Sequence, residues 1–118
     1  MAIHHQIGKQ GEALARQYLE EQGYTIVHHN WRDAHREIDI IARKGQLLIF
    51  VEVKTRSGYR GGWPEYAIDA KKEADLLLAA QHYLEENPFA GEVRFDVIAI
   101  VFDAHTGPHL HHIPDAIQ

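Results

Sequence analysis

Arg36-Glu37-Ile38-Asp39-Ile40-Ile41-Ala42 and Leu48-Ile49-Phe50-Val51-Glu52-Val53-Lys54 are two apolar runs interrupted by acids. Each reads as a strand. Charge inside such a strand requires a partner, because an unpaired buried carboxylate is costly enough to neutralise itself. Between the runs, Arg43-Lys44-Gly45-Gln46 is short and turn-like, with Gly45 suited to the unusual backbone angle of a hairpin. The runs are therefore antiparallel neighbours. Side chains alternate faces along a strand, so Glu52 and Lys54 share a face, and an even loop places Asp39 there with them. Glu37 falls on that face by the same parity, as a secondary ligand or as a paired surface acid. Asp39 then lies opposite Glu52 or diagonal to it, roughly 5–8 Å between Cβ atoms, within reach of one shared cation. A hard divalent ion, Mg²⁺ or Mn²⁺, suits the site, since Mg²⁺ takes oxygen ligands, keeps several waters and is held by one or two carboxylates.

The order Asp39, then Glu52-x-Lys54, resembles the PD-(D/E)XK nuclease motif. The wider chain is similar to the YraN-like family of small bacterial proteins through Gly8-x-x-Gly11-Glu12-x-x-Ala15, Tyr18-Leu19, Gly23-Tyr24, Asn30-Trp31-Arg32, Glu37-Ile38-Asp39, Phe50 to Arg56, and Arg94-Phe95-Asp96. That likeness covers nearly the whole chain. It departs at Arg36, where the family usually has Gly. The resemblance implies a restriction-endonuclease-like α/β sandwich, a central mixed sheet with helices on both faces, in the branch of the Holliday-junction resolvases. It also implies phosphodiester hydrolysis, of DNA before RNA and of branched DNA in particular, with a helix Glu, here Glu12, joining Asp39 and Glu52 at the metal. In that chemistry Lys54 positions a metal-activated water or stabilises the pentavalent transition state as a point charge. A Lys recurs in the family near Lys71, which places Lys71 at a substrate phosphate, with a plain surface residue as the alternative.

At 118 residues and 45% apolar content, residues 1–118 form one compact domain with no room for a second. The absence of cysteine removes disulfides, thiolate metal sites and cysteine nucleophiles. No apolar stretch approaches the roughly 20 residues needed to span a bilayer, and the start lacks a signal-peptide pattern, so a cytoplasmic protein without membrane contact is expected. A formal charge of −5 opposes nucleic-acid binding at long range. Part of that charge belongs to the acids of the site, where a divalent ion reverses the local field. Lys54, Arg56, Arg60, Lys71, Lys72 and Arg94 then offer a local phosphate-facing patch.

Ile7 to Gln22 reads as an amphipathic helix with Ile7, Leu14, Ala15, Tyr18 and Leu19 on its apolar side and Gly23 as its stop. Glu12 borders that stripe, as a site acid or as a solvated first-turn acid favoured by the helix dipole, and Gly8 and Gly11 permit close approach of a backbone or a ligand. Tyr24 to Trp31 reads as the first strand. After the hairpin, Ser57 to Pro64 breaks all periodicity, and its Arg60, Tyr59 and Trp63 suit a substrate-contacting flap or an ordinary packed connection. Ala70 to Glu86 reads as a second helix with Ala70, Ala74, Leu77, Leu78 and Leu84 inward, ended by Asn87-Pro88. Val93 to Phe102 is a strand covered on both faces, in which Asp96 pairs with Arg94. The order helix, three strands, helix, strand is that of an α/β sandwich with a mixed sheet.

Ten histidines are present. Those near the C-terminus, His105, His109, His111 and His112, read as surface residues, since no cysteine and no His-Glu-x-x-His helix accompanies them. Two other functions stay open beside the nuclease: a non-catalytic nucleic-acid-binding protein, and a protein-interaction module on the same fold. A homodimer would be required for paired cuts.

Overall fold

The computed structural model describes residues 2–58 and 69–117, with side chains from residue 6 onward. Helix α1 (Ala2–Glu21) leads into strands β1 (Thr25–Asp33), β2 (Arg36–Lys44) and β3 (Leu47–Arg56). Helix α2 (Ala70–Glu86) follows, then strands β4 (Glu92–Asp103) and β5 (Gly107–Ile113). The five strands form one sheet in sequence order. Only β3 and β4 run parallel, with α2 in the connection between them, so the sheet is mixed. One helix packs on each face. This is the restriction-endonuclease-like arrangement that the resemblance implies.

Local signals account for the boundaries. Gly23 takes φ +95 and Tyr24 N–H donates to the Leu19 carbonyl at 2.9 Å, a glycine-terminated helix end. Gly45 takes φ +59 in the two-residue hairpin turn, with Lys44 opposite Leu47. Asp69 caps α2 by accepting from Lys72 N–H at 2.8 Å.

Two apolar layers result. Ala15 and Leu19 of α1 pack on Ile40, Ala42, Ile49, Val51, Ile98 and Ile100. On the other face Leu76, Ala79, Ala80 and Tyr83 of α2 pack on Ile38, Ile41, Leu48 and Phe50. Each fully buried Ile or Phe contributes about 1.5–3 kcal/mol.

The inward face of α2 differs from expectation. Leu77 is 41% exposed, Ala70 and Ala74 are exposed, and the buried stripe runs Leu76, Ala79, Ala80, Tyr83. The run Leu76-Leu77-Leu78-Ala79-Ala80 is apolar all round and carries no phase. Tyr83 sets it, meeting His28, Trp31 and Phe50 edge-on at 5.8, 5.3 and 5.8 Å between ring centroids.

Strand β5 is absent from the expected order. Its histidines and proline give no apolar alternation, and it exists through pairing with β4, from Val97 opposite Ile113 to Asp103 opposite Gly107. The connecting turn is closed by the Asp103 carboxylate, which accepts from His105 N–H and Thr106 N–H.

Candidate metal centre

Pairing between β2 and β3 runs from Lys44 opposite Leu47 to Ile40 opposite Val51, and there it stops. The next residues on the two strands are Asp39 and Glu52. Where the ladder would continue through a backbone carbonyl, the Asp39 carboxylate substitutes, with Oδ2 accepting from Val53 N–H at 2.8 Å.

The strands part because alternation fails at Asp39. Ile40 packs in the α1-side layer and Ile38 in the α2-side layer, although strict parity would place them on one face. On β1, Asn30 lies between the pairs His29–Ile40 and Trp31–Ile38 and takes φ 54, a left-handed angle that Asn tolerates better than most residues. His28 and Trp31, three residues apart, accordingly both reach Tyr83. Simple parity holds as far as the acids: Ile40 and Val51 both pack in the α1-side layer, which turns Asp39 and Glu52 together to the α2 side, and the kink shared by β1 and β2 falls just beyond them, at Ile38. Glu37 pairs with Arg32 at 3.4 Å, which is the paired-acid alternative.

Both acids are buried, Asp39 to 8% exposure and Glu52 to 7%. Burial pushes the Asp39 carboxyl up to about 8, and the charge of Glu52 adds to it against the opposing Val53 N–H. Burial also raises Glu52, although Lys72 and Lys54 pull the other way. Lys72 Nζ stands 3.4 Å from Glu52 Oε1. Burial lowers the Lys72 ammonium, and the summed attraction of Glu52, Asp39 and Glu37 outweighs it, so the ammonium is held more firmly protonated than usual. The second Glu52 oxygen, Oε2, is buried without a hydrogen-bond partner.

Glu12 arrives from the other layer. A Cβ on Gly11 would run into the Thr55 γ-methyl, so α1 lies tightly against β3 at this point. Gly8, by contrast, has open space around it. The tight contact brings the Glu12 charge near enough to raise both Asp39 and Glu52. Among the described residues, no group of three or more His, Cys, Asp or Glu side chains is arranged to hold a metal ion. The donor set is thus two converging carboxylates with a third nearby.

Residues 11–100 match the family described as "Uncharacterised protein family UPF0102". The chain belongs to this family. A UPF0102 protein of Christiangramia forsetii is 44% identical over 116 residues, covering 98% of this chain and 97% of the relative. One from Bacteroides thetaiotaomicron is 46% identical over 101 residues, covering 86% and 84%. One from Geobacter metallireducens is 39% identical over 120 residues, covering 100% and 98%. The UPF0102 match begins at the glycine seated on Thr55 and encloses Glu12, Asp39, Glu52, Lys54 and Lys72, while β5 lies beyond it.

Within this UPF0102 chain the two lysines at the start of α2 divide, Lys71 taking the surface alternative. Lys71 stands 3.3 Å from Asp75 with its side chain 84% exposed, and Lys72 is the cation on Glu52. Lys72 precedes Leu76 by one helical turn and so continues the buried stripe of α2, a position that follows once the phase of that helix is known. Arg56 is exposed at the end of β3. Arg60, Tyr59 and Trp63 lie outside the described residues.

Arg94 does not join a phosphate-facing patch. It grips Asp96, Nε to Oδ1 at 2.8 Å and Nη2 to Oδ2 at 2.9 Å, as the sequence led us to expect of this pair. His112 is also not a plain surface residue: Nε2 meets Asp96 Oδ2 at 2.8 Å and Nδ1 meets the Tyr18 hydroxyl at 3.0 Å. Among the described residues no helix is long and apolar enough to cross a membrane.

Proposed function

We propose that this protein is a divalent-metal-dependent endonuclease of the cytoplasm acting on nucleic acid, DNA before RNA, with Asp39 and Glu52 holding Mg²⁺ or Mn²⁺ and Glu12 beside them. The observation that carries this reading is the buried, unpartnered Oε2 of Glu52 next to a second buried carboxylate. Two acids desolvated together oppose each other's charge, and an oxygen-seeking cation relieves both. The donor chemistry fits: carboxylate oxygens only, with one oxygen of Asp39 fixed by Val53 N–H and Oε2 of Glu52 without a hydrogen-bond partner. A bound ion would supply a water of lowered pKa and neutralise charge on the phosphate.

The chain's own groups do the rest. Val53 N–H orients Asp39, and the Asp69 cap fixes the first turn of α2 so that Lys72 reaches Glu52. With Asp39 and Glu52 holding the ion, the Lys72 ammonium would be available to a phosphate oxygen, and Lys54, whose charge is already felt by Glu52, would add a second point charge. Arg56 extends the positive edge outward.

A second reading, nucleic-acid binding without cleavage, draws on the Lys72–Glu52 ion pair, which already gives Glu52 a counter-charge. Calorimetric titration of Mn²⁺ into the wild type, Asp39→Ala and Glu52→Ala, followed by nicked and branched DNA, separates the two. One bound ion in the wild type, lost in both variants together with DNA cleavage, is the expected result. Metal binding or cleavage that survives both substitutions refutes the nuclease. DNA binding that is indifferent to metal and to both substitutions selects the non-catalytic alternative.

A further inference from the structure

Beside Lys72, between the β1–β2 turn and the first turns of α2, lies a cleft of about 120 Å³ lined by His35, Arg36, Glu37, Lys72, Asp75 and Leu76. Its charges balance, two cations against two carboxylates, so a bare anion gains little there. Its ion pairs are long. Arg36 stands 3.4 Å from Asp33 and 3.7 Å from Asp75, and Glu37 stands 3.4 Å from Arg32. Arg36 Nε is buried without a hydrogen-bond partner. The cleft thus presents one unsatisfied donor, Arg36 Nε, and two carboxylates held only by long pairs, Asp75 also standing 3.3 Å from Lys71, around a small volume with Leu76 as an apolar contact, and His35 is exposed on the turn at its rim.

We infer that this cleft receives an unpaired nucleobase of the nucleic acid whose phosphate lies at Asp39 and Glu52. A neutral, flat group carrying both donors and acceptors matches the balanced charge and mixed hydrogen-bonding character of the walls, as in pockets that read a base swung out of the stack. Arg36 donates to a ring nitrogen or carbonyl of the base, Asp75 and Glu37 accept from an exocyclic amino group, and His35 stacks on the ring. Lys72 joins the two places, since it lines the cleft and touches Glu52. A base can occupy the cleft only when it is free of its complementary strand, so the substrate class is DNA with unpaired nucleotides beside the cut, such as a flap or a branch, rather than continuous duplex.

This inference rests on the nuclease reading. The test is fluorescence anisotropy of a flapped DNA duplex with Ca²⁺ in place of Mg²⁺, an abasic nucleotide being stepped through the unpaired positions next to the junction. In the wild type, one position should weaken binding by roughly fivefold or more when abasic, the low end for stacking one base on an aromatic ring. Arg36→Ala and His35→Ala should lose that discrimination. His35 is exposed on a turn, so its variant folds even if Arg36→Ala does not. Abasic nucleotides tolerated at every position, or discrimination retained in both variants, overturns the base pocket and leaves the metal centre untouched. Failure of the wild type to bind any flapped DNA overturns the base pocket and the nuclease together.

Discussion

Asp39 makes the metal-free fold less stable than it would be with a neutral side chain at this position. Its carboxyl is held up to about 8 when folded, against 3.8 as the ordinary value, chiefly by burial and then by Glu52. A group that binds its proton more tightly in the folded state loses stability as pH rises through the ordinary value, and the loss levels off above the folded one. Asp39→Asn removes the charge and keeps an oxygen to accept from Val53 N–H. It should therefore melt several degrees above the wild type at pH 8 in EDTA, and no higher at pH 4, where one kcal/mol corresponds to about 4–8 °C for a domain near this size. Circular-dichroism melts at the two pH values check this. A variant that melts lower at pH 8 would show that Asp39 is held by interactions absent from this site. At the same scale, the identities of the acids were legible because charge in an apolar run is conspicuous, whereas the choice of Lys72 over Lys71 was not. Neighbouring lysines have the same chemistry and differ only in which side of α2 they occupy.

Among the elements, α1 offers two glycines with opposite expectations. Gly8 has open space where a Cβ would go, so Gly8→Ala exchanges a poor helix former for the best one and should stabilise by about 0.5–1 kcal/mol. Gly11 faces the Thr55 γ-methyl across the α1–β3 contact, and overpacking there should outweigh the same helix gain, leaving Gly11→Ala destabilised by about 1–3 kcal/mol. Urea denaturation of both variants measures the two signs. Combining Gly11→Ala with Thr55→Ala should recover most of the loss, and additive effects in the double variant would remove Thr55 as the cause. The helices and the hairpin were readable at this scale because caps, glycine stops and apolar periodicity act within a few residues. The phase of α2 was not, since five consecutive apolar residues point in every direction until Tyr83 meets the rings of β1 and β3.

Across the whole molecule, the deepest polar group is Asp96, fully buried in β4. Arg94, His112 and Asp115 N–H all bond to it, and His112 passes the link to Tyr18 of α1, so one carboxylate ties β4, β5, the C-terminal turn and the first helix together. Burial alone would raise its carboxyl, and the hydrogen bonds from His112, Arg94 and Asp115 outweigh that, holding it below the ordinary value. Such a group contributes stability above the unfolded value near 3.8, and that contribution fades as pH falls through the lowered folded value. Asp96→Asn leaves Arg94 without its partner and should cost about 3–5 kcal/mol at pH 7, the usual penalty for breaking a buried pair from one side. The gap to the wild type should narrow in acid. Equal acid dependence in variant and wild type, followed by urea denaturation from pH 7 to pH 2, would mean that Asp96 does not carry the acid sensitivity of the fold.

The chain alone settled the α/β class, the β2–β3 hairpin with Asp39 and Glu52 in it, the extent of the second helix, the Arg94–Asp96 pair and membership of the family, because each depends on residue types at short, regular spacing. Tertiary structure decided the rest. The kink that parts β2 from β3, the partner of Glu52, the fifth strand and the link from Asp96 through His112 to Tyr18 all join residues distant in sequence. Tyr18 and His112 are 94 positions apart. No local pattern encodes such contacts. They arise when two layers pack on one sheet and every buried charge must find a counter-charge or hydrogen bond among whatever the packing brings near.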